Sequence, residues 1–135
     1  TYYKTVAYYE TKQYDKVSEV MLAWLKKYPE DAMALNGYGY MMLERATTPE
    51  DMQKAMVYLK KAIAIAPDDP AIMDSIGWGY FKEKNYANAR AYYIALLIEE
   101  KKLTDAKDLF QRLQVVYPDH IETTELIKNY QGILE

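Results

Sequence analysis

The residues that could carry out catalysis or hold a metal are few in this 135-residue sequence. His120 is the single histidine, and the nearby acids Asp119 and Glu122 give it no recognised metal-ligand spacing. Ser18 and Ser75 are the only serines, and neither lies in the Gly-x-Ser-x-Gly turn that exposes a nucleophile. Cysteine is absent, which excludes disulfides and thiolate metal sites. We therefore predict no catalytic residue, no metal site and no cofactor.

Four of the five glycines occur as two Gly-x-Gly pairs, at residues 37 and 39 and at residues 77 and 79. Neither pair is followed by the Gly-Lys-Ser/Thr sequence that completes a phosphate-binding loop. Both pairs lie within apolar segments of helical periodicity. We predict that these glycines are positions where two helices pack closely.

Charge and hydropathy limit the classes of partner. The net charge of −3 offers no general attraction to nucleic acid, whose binding depends on clustered Lys and Arg. The longest apolar run, residues 92–98, is much shorter than the roughly 20 residues that a membrane-spanning helix needs. We therefore expect neither a nucleic-acid partner nor membrane insertion, and the sequence leaves the cellular compartment open.

Apolar residues recur at helical spacing between proline-containing connections, a pattern that favours an all-α fold. Asp31, Asp69, Thr104 and Asp119 are predicted N-caps, and Pro49 suits the first turn of a helix. The predicted helices cover residues 2–11, 14–27, 31–45, 50–65, 69–83, 86–101, 104–116 and 120–134.

A spacing pattern recurs along the chain, in which a small residue is followed by a bulky residue four positions later and by Pro twelve positions later. Its first residues are Val17, Ala55, Ala89 and Ala106, although the Pro is missing after Ala89. The steps between them are 38, 34 and 17 residues. We attribute the long step to four extra residues within 45–49, which predicts a longer loop. The half step predicts an irregular closing hairpin, with a lost helix or an engineered origin as alternatives.

The helices that precede these markers carry a pattern of their own, Leu35-x-x-Tyr38-Gly39-x-x-Met42 and Met73-x-x-Ile76-Gly77-x-x-Tyr80. The combined pattern resembles the tetratricopeptide repeat, W-x2-L-G-x2-Y followed by A-x3-F and P. The resemblance is clearest over residues 69–96, extends over 32–68, and weakens over 1–31, where Lys4 and Thr5 replace the Leu-Gly pair. The chain looks most like bacterial proteins of this family.

This resemblance implies an all-α, right-handed α-solenoid of antiparallel helix hairpins, with about eight helices in a single domain over residues 1–135. The repeats would cover about 1–31, 32–68 and 69–101, followed by an irregular capping hairpin at 103–135. One hairpin cannot bury its own apolar face, so neighbouring hairpins must stack to form a continuous core.

The resemblance also implies that the first helix of each hairpin lines a concave groove for another protein. The predicted groove residues are Tyr2, Val6, Tyr9, Asn36, Tyr40, Leu43, Asp74, Trp78, Phe81 and Lys82, and Glu10, Met33, Glu44 and Ala71 fall at equivalent positions. Rigid aromatic side chains are effective contact residues, and an asparagine could hydrogen-bond a peptide backbone. The alternative is that these side chains pack against adjacent first helices across a narrow groove.

Two functional hypotheses follow. The first is a non-enzymatic adaptor that binds a peptide or helix of a partner protein in the groove. The alternative is a structural or self-assembling module, natural or engineered, whose groove is filled by its own helix or by a second copy; a homo-oligomer is compatible with it. The family's carboxylate clamp for chaperone C-termini is not expected, because Tyr2, Val6 and Asp74 stand where that clamp needs Lys, Asn and basic residues.

Overall fold

The computed structural model describes residues 2–116 together with Lys128 and Ile133, and side chains are described for 4–112, Val115 and those two residues. This part of the chain is all-helical and contains no β-strand. Each helix packs on the next, and α3 also contacts α5, so the hairpins stack as a helical repeat solenoid. The helices are α1 (Tyr2–Glu10), α2 (Tyr14–Lys27), α3 (Ala32–Arg45), α4 (Pro49–Ile65), α5 (Pro70–Lys82), α6 (Tyr86–Glu99) and α7 (Leu103–Val116).

The predicted all-α architecture is confirmed, and the seven helices begin and end within two residues of the predicted bounds. Apart from Lys128 and Ile133, the eighth predicted helix at 120–134 lies outside the described residues, as do the predicted N-cap Asp119 and His120.

Two of the four predicted N-caps are present, and Pro49 lies in a first helical turn as predicted. Asp31 Oδ1 accepts a hydrogen bond of 3.1 Å from an amide in the first turn of α3, and Asp69 Oδ1 accepts two from α5, at 2.9 and 3.2 Å. Pro49 is the first residue of α4, with Thr48 as its N-cap. The prediction for Thr104 is wrong, because α7 already begins one residue earlier.

The four extra residues of the second hairpin do not form the predicted longer loop. Three residues, 46–48, join α3 to α4, as three residues join the helices of the hairpins on either side. Instead α4 has 17 residues and begins six positions before Ala55, whereas α6 begins three positions before Ala89. A Thr cap, Pro at the first position and two acids in the first turn are strong helix-start signals, so three of the four extra residues extend α4. The fourth lengthens α3, which has 14 residues where α5 has 13.

The half step is explained by the turn after α6. The middle residues of the turns 11–13, 83–85 and 100–102 are lysines with φ of 58°, 63° and 62°. In each turn, the amides of the middle and last residues donate to carbonyls of the preceding helix in the same pattern. The α6–α7 connection is therefore a hairpin turn of the type that joins α1 to α2 and α5 to α6. Helix α6 is the second helix of one hairpin and the first helix of the next.

The core runs along the array as three clusters of buried side chains. All four small markers of the spacing pattern are buried, and three of them belong to these clusters. The first cluster contains Val17, Met21, Leu25, Leu35, Tyr38, Met41, Ala62 and Ile72; the second contains Leu43, Ala55, Met56, Leu59 and Ile76; the third contains Ala91, Ile94, Ile98, Ala106 and Phe110.

The four paired glycines differ in how closely they are packed. A Cβ on Gly39 would lie 2.9 Å from Leu59 Cγ, and one on Gly79 would collide with the side chain of Met56. A Cβ on Gly77 would make an ordinary contact of 3.4 Å. The packing prediction is wrong for Gly37, where an added Cβ would meet none of the described atoms within 4 Å.

Candidate partner-binding groove

The predicted groove residues fall into three classes of exposure. Tyr9, Tyr40 and Phe81 remain well exposed, at 41%, 40% and 48%. Asp74 is also exposed, whereas the side chains of Val6, Trp78 and Lys82 are half-buried. Asn36 and Leu43 are buried. Tyr2 lies in the first turn of α1, and its side chain is outside the described residues. The surface therefore offers an aromatic group from each of α1, α3 and α5.

Leu43 does not lie on the surface of the groove. Its side chain is 0% exposed and belongs to the core cluster that also contains Leu59 and Ile76. Leu43 is four residues after Gly39 and so lies on the same, packed face of α3. Its methyl group reaches to within 3.4 Å of where a Cβ of Gly79 would lie, so Leu43 packs beside Met56 against this glycine. The prediction of Leu43 as a contact residue is therefore corrected.

Glu44 connects the groove residues of α3 and α5. Its Oε1 accepts a hydrogen bond of 2.9 Å from Nε1 of Trp78, and Tyr40 lies one helical turn before it on α3. Burial raises the pKa of Tyr40 above its ordinary value, and the charge of Glu44 and its hydrogen bond raise that pKa further.

Lys82 holds α5 against the end of α3. Its Nζ donates a hydrogen bond of 3.0 Å to the carbonyl oxygen of Leu43, one of the last carbonyls of α3, where a positive charge is favourable. The same nitrogen lies 5.8 Å from the centre of the Trp78 ring. The positive charge of Lys82 is thus already engaged within the fold.

An aromatic run continues from α5 to the start of α6. The rings of Trp78 and Phe81 stack with centroids 5.5 Å apart and an interplanar angle of 13°. Phe81 then makes an edge contact with Tyr86, at 5.6 Å. The sequence analysis missed Tyr86, because it begins a second helix and only first helices were expected to reach the groove. Its position directly after the hairpin turn is the signal that could have identified it.

A cleft of about 760 Å³ opens between α1, α2 and α3. This volume is within the range of small-molecule and side-chain binding sites. Four predicted residues line it, namely Val6, Tyr9, Asn36 and Tyr40, so the structure brings this half of the prediction together. The other half, on α5, is not part of the cleft lining and is joined to it through Glu44.

The cleft is bordered at one end by a polar contact between α2 and α3. Trp24 Nε1 donates a hydrogen bond of 2.8 Å to Asp31 Oδ2, whose other oxygen caps α3. Deeper in the cleft, Asn36 Oδ1 is buried and has no hydrogen-bond donor among the described residues. The cleft wall is otherwise largely apolar, with Met33, Ala34 and Met41 among its residues.

Within the described ranges, no three His, Cys, Asp or Glu side chains are grouped in a way that could hold a metal ion. None of the seven helices is long and apolar enough to cross a membrane, as judged over the same residues.

Comparison with known proteins identifies a related sequence. Over 64 residues, 47% of this chain, the sequence is 39% identical to a TPR repeat-containing protein of Pseudomonas aeruginosa. The chain spans about a tenth of the length of that relative, since the match covers 10% of it. No protein-family model matches the chain. The predicted resemblance to bacterial tetratricopeptide-repeat proteins is confirmed by this relative.

Proposed function

We propose that this chain is a non-enzymatic protein-interaction module that binds a peptide or helix of another protein along α1, α3 and α5. The observation that carries the proposal is the exposed aromatic group on each of these helices, Tyr9, Tyr40 and Phe81, beside an open cleft. Large rigid aromatic side chains dominate the binding energy of protein interfaces because they bury much area at little cost in entropy. The resemblance to tetratricopeptide repeats supports the same function.

The proposed contact surface differs from the sequence prediction. Val6, Tyr9, Asn36 and Tyr40 form its cleft half, and Asp74 and Phe81 form its α5 half. Trp78 and Lys82 position the two halves through their hydrogen bonds to Glu44 and to the carbonyl of Leu43. Tyr2 stays in the set as a prediction from its place on α1.

We propose the repeat boundaries on the same basis, with hairpins over about 1–31, 32–68 and 69–101 and a capping hairpin over 103–135. The turns at 11–13 and 83–85 lie inside the first and third of these units and support them. The turn of the same type at 100–102 lies at a boundary instead and makes α6 a shared helix, so that the capping part begins with α7 packed on α6.

The test is a selection of binders from a random displayed peptide library on the purified chain. The affinities of the recovered peptides are then compared between the wild type and the Tyr40→Ala/Trp78→Ala variant. We expect losses of more than tenfold, as for hot-spot aromatics that lose about 1.4 kcal/mol or more. Tyr93→Ala is the matched control, because Tyr93 is 45% exposed but lies on α6, outside the cleft lining.

Equal affinities for the wild type and the double variant would refute the groove assignment. The alternative, a self-assembling module, predicts a different result. In that case sedimentation would show a mass that rises with concentration, and the double variant would remain monomeric.

A further inference from the structure

Asn36 carries a hydrogen-bond acceptor that the fold does not use. The side chain is only 9% exposed, and its Oδ1 finds no donor within the described structure. A buried polar atom without a partner costs stability, and native proteins contain few of them. Asn36 is one of the residues that line the cleft, and a turn of its amide group would present this acceptor to an N–H or O–H donor of an occupant.

The next residue supports the same site independently. Gly37 lies inside α3, where glycine weakens a helix relative to alanine. Unlike Gly39, it has no neighbour that a methyl group would strike among the atoms described. Gly37 also lines the cleft. A glycine without a packing role beside an unpaired acceptor is suited to the close approach of a bound backbone.

The charges around the cleft are mostly negative. Glu10 is exposed and lines the cleft, and Glu44 on α3 and Asp74 on α5 are also exposed. The carboxylate of Glu44 accepts one hydrogen bond from Trp78 and keeps its negative charge. Two positive side chains of α3 and α5 make contacts within the fold. Lys82 bonds a carbonyl of α3, and Arg45 lies over the ring of Tyr14, 4.1 Å from its centre. An occupant that carries Lys or Arg would therefore be favoured electrostatically.

We propose, on the basis of the function proposed above, that the cleft between α1, α2 and α3 binds an extended basic segment of the partner. One apolar side chain of this segment enters the cleft beside Tyr9 and Met33, and one backbone N–H donates to Asn36 Oδ1. Its Lys or Arg side chains face Glu10, Glu44 and Asp74. The segment is extended because a helix uses its backbone N–H groups internally, except in its first turn, whereas an extended chain presents them to a partner.

The composition of the peptides selected from the random library tests the charge. We expect those that lose affinity in Tyr40→Ala/Trp78→Ala to be enriched in Lys, Arg and apolar residues, and to bind about tenfold more weakly at high salt. Selected peptides that are acidic or neutral, yet depend on Tyr40 and Trp78, would overturn this inference and leave the proposed function standing. Peptides that do not depend on these residues would overturn both.

The hydrogen bond to Asn36 is tested by N-methylation along the tightest peptide, which removes one backbone N–H at a time. At one position, we expect methylation to weaken binding of the peptide to the wild type about tenfold. The same methylation should hardly change the affinity of the peptide for the Asn36→Leu variant. Helical circular dichroism in the bound peptide, or an equal effect of methylation on both proteins, would contradict the extended geometry.

Two substitutions separate binding from stability. Asn36→Leu removes the unpaired acceptor and Gly37→Ala strengthens the helix, so both should unfold at the same temperature as the wild type or higher. Both should nevertheless bind the selected peptide more weakly, by about tenfold for Asn36→Leu. Unchanged affinity of the peptide for both variants would show that neither residue contacts the peptide and would overturn the proposed site. A monomer–dimer equilibrium abolished by Asn36→Leu would show that a second copy, rather than a basic partner, fills the cleft.

Discussion

Trp78 Nε1 donates a hydrogen bond of 2.9 Å to Glu44 Oε1 from 34 positions away in the sequence. The two residues belong to the first helices of adjacent hairpins, and their bond joins the cleft half of the proposed surface to its α5 half. Few other polar side-chain contacts of the described residues connect α3 with α5. This bond is therefore the place where the geometry of the surface can be changed without disturbing the core.

Loss of the Glu44 carboxylate should weaken the contact between α3 and α5. Glu44→Ala removes the acceptor of the Trp78 hydrogen bond, so we expect the free energy of unfolding to fall by about 1 kcal/mol. A double-mutant cycle with Trp78→Phe in urea should give a coupling energy of about 0.5–1.5 kcal/mol. Additive effects of the two substitutions would show that the hydrogen bond does not form in solution.

The alkaline titration of Tyr40 measures the effect of the Glu44 charge on a neighbouring side chain of α3. The pKa of Tyr40 is raised by burial first and by Glu44 next, so Glu44→Gln should lower this pKa part of the way towards its ordinary value. The pKa of Tyr58 is raised by burial and by Tyr38, so the same substitution should leave it unchanged. Both can be followed by tyrosinate absorbance in the wild type and in Tyr40→Phe and Tyr58→Phe.

The raised pKa of Tyr40 determines how the stability of the fold changes with pH. A raised pKa means that the folded state holds the proton more tightly than the unfolded state. The stabilisation is complete below the ordinary pKa of tyrosine and is lost as the pH rises through the raised value. Tyr40→Phe should therefore lose less stability than the wild type over that alkaline range, which thermal melts at increasing pH can check.

Gly39 and Gly77 should differ in how an added methyl group changes the stability of the fold. Gly39→Ala forces Leu59 and Tyr58 to move, because the new Cβ would lie 2.9 Å and 3.1 Å from their atoms, and should destabilise the fold by about 1–3 kcal/mol. Gly77→Ala makes only an ordinary contact, and its better helix propensity should leave stability unchanged or raise it by up to about 1 kcal/mol. Denaturation of both variants side by side tests this order, and an equal loss would contradict the packing described for α3 and α4.

The lysines in the hairpin turns have left-handed backbone conformations that glycine adopts without strain. Lys84 has φ of 63°, so Lys84→Gly should raise the free energy of unfolding by about 1 kcal/mol. Lys61 is exposed inside α4, so Lys61→Gly should lower it by about 1 kcal/mol. Urea denaturation of the two variants compares them, and a loss of stability in Lys84→Gly would show that the turn relaxes in solution.

The sequence was sufficient to predict the helices because the signals that define them are local. Asp31, Asp69 and Pro49 mark helix starts through interactions within one turn, and the buried markers follow from periodicity. The prediction of a longer loop at 45–49 was wrong for a local reason too. Thr48 and Pro49 are a strong helix start, and this local signal determines where the extra residues go.

The groove was harder to predict because burial depends on how neighbouring hairpins meet. Position within the repeat placed Leu43 and Tyr40 on the same face, yet Leu43 is buried against α5 near Gly79 while Tyr40 stays exposed. Gly37 and Gly39 look equivalent in the sequence, and only the approach of α4 distinguishes them. Tyr86 was missed for the same reason, because its contact with Phe81 depends on the hairpin turn rather than on repeat position.

The shared position of α6 has a consequence for the mutational tolerance of the chain. Towards α5, Tyr92 stacks on Tyr80, and towards α7, Ala91, Ile94 and Ile98 join the cluster of Ala106 and Phe110. Seven of its fourteen side chains are buried, on two faces rather than one. A helix at the middle of two hairpins must satisfy two interfaces with one sequence. In a saturation mutagenesis experiment, α6 should therefore accept fewer polar substitutions than α2 or α4, in which only three of 14 and four of 17 residues are buried.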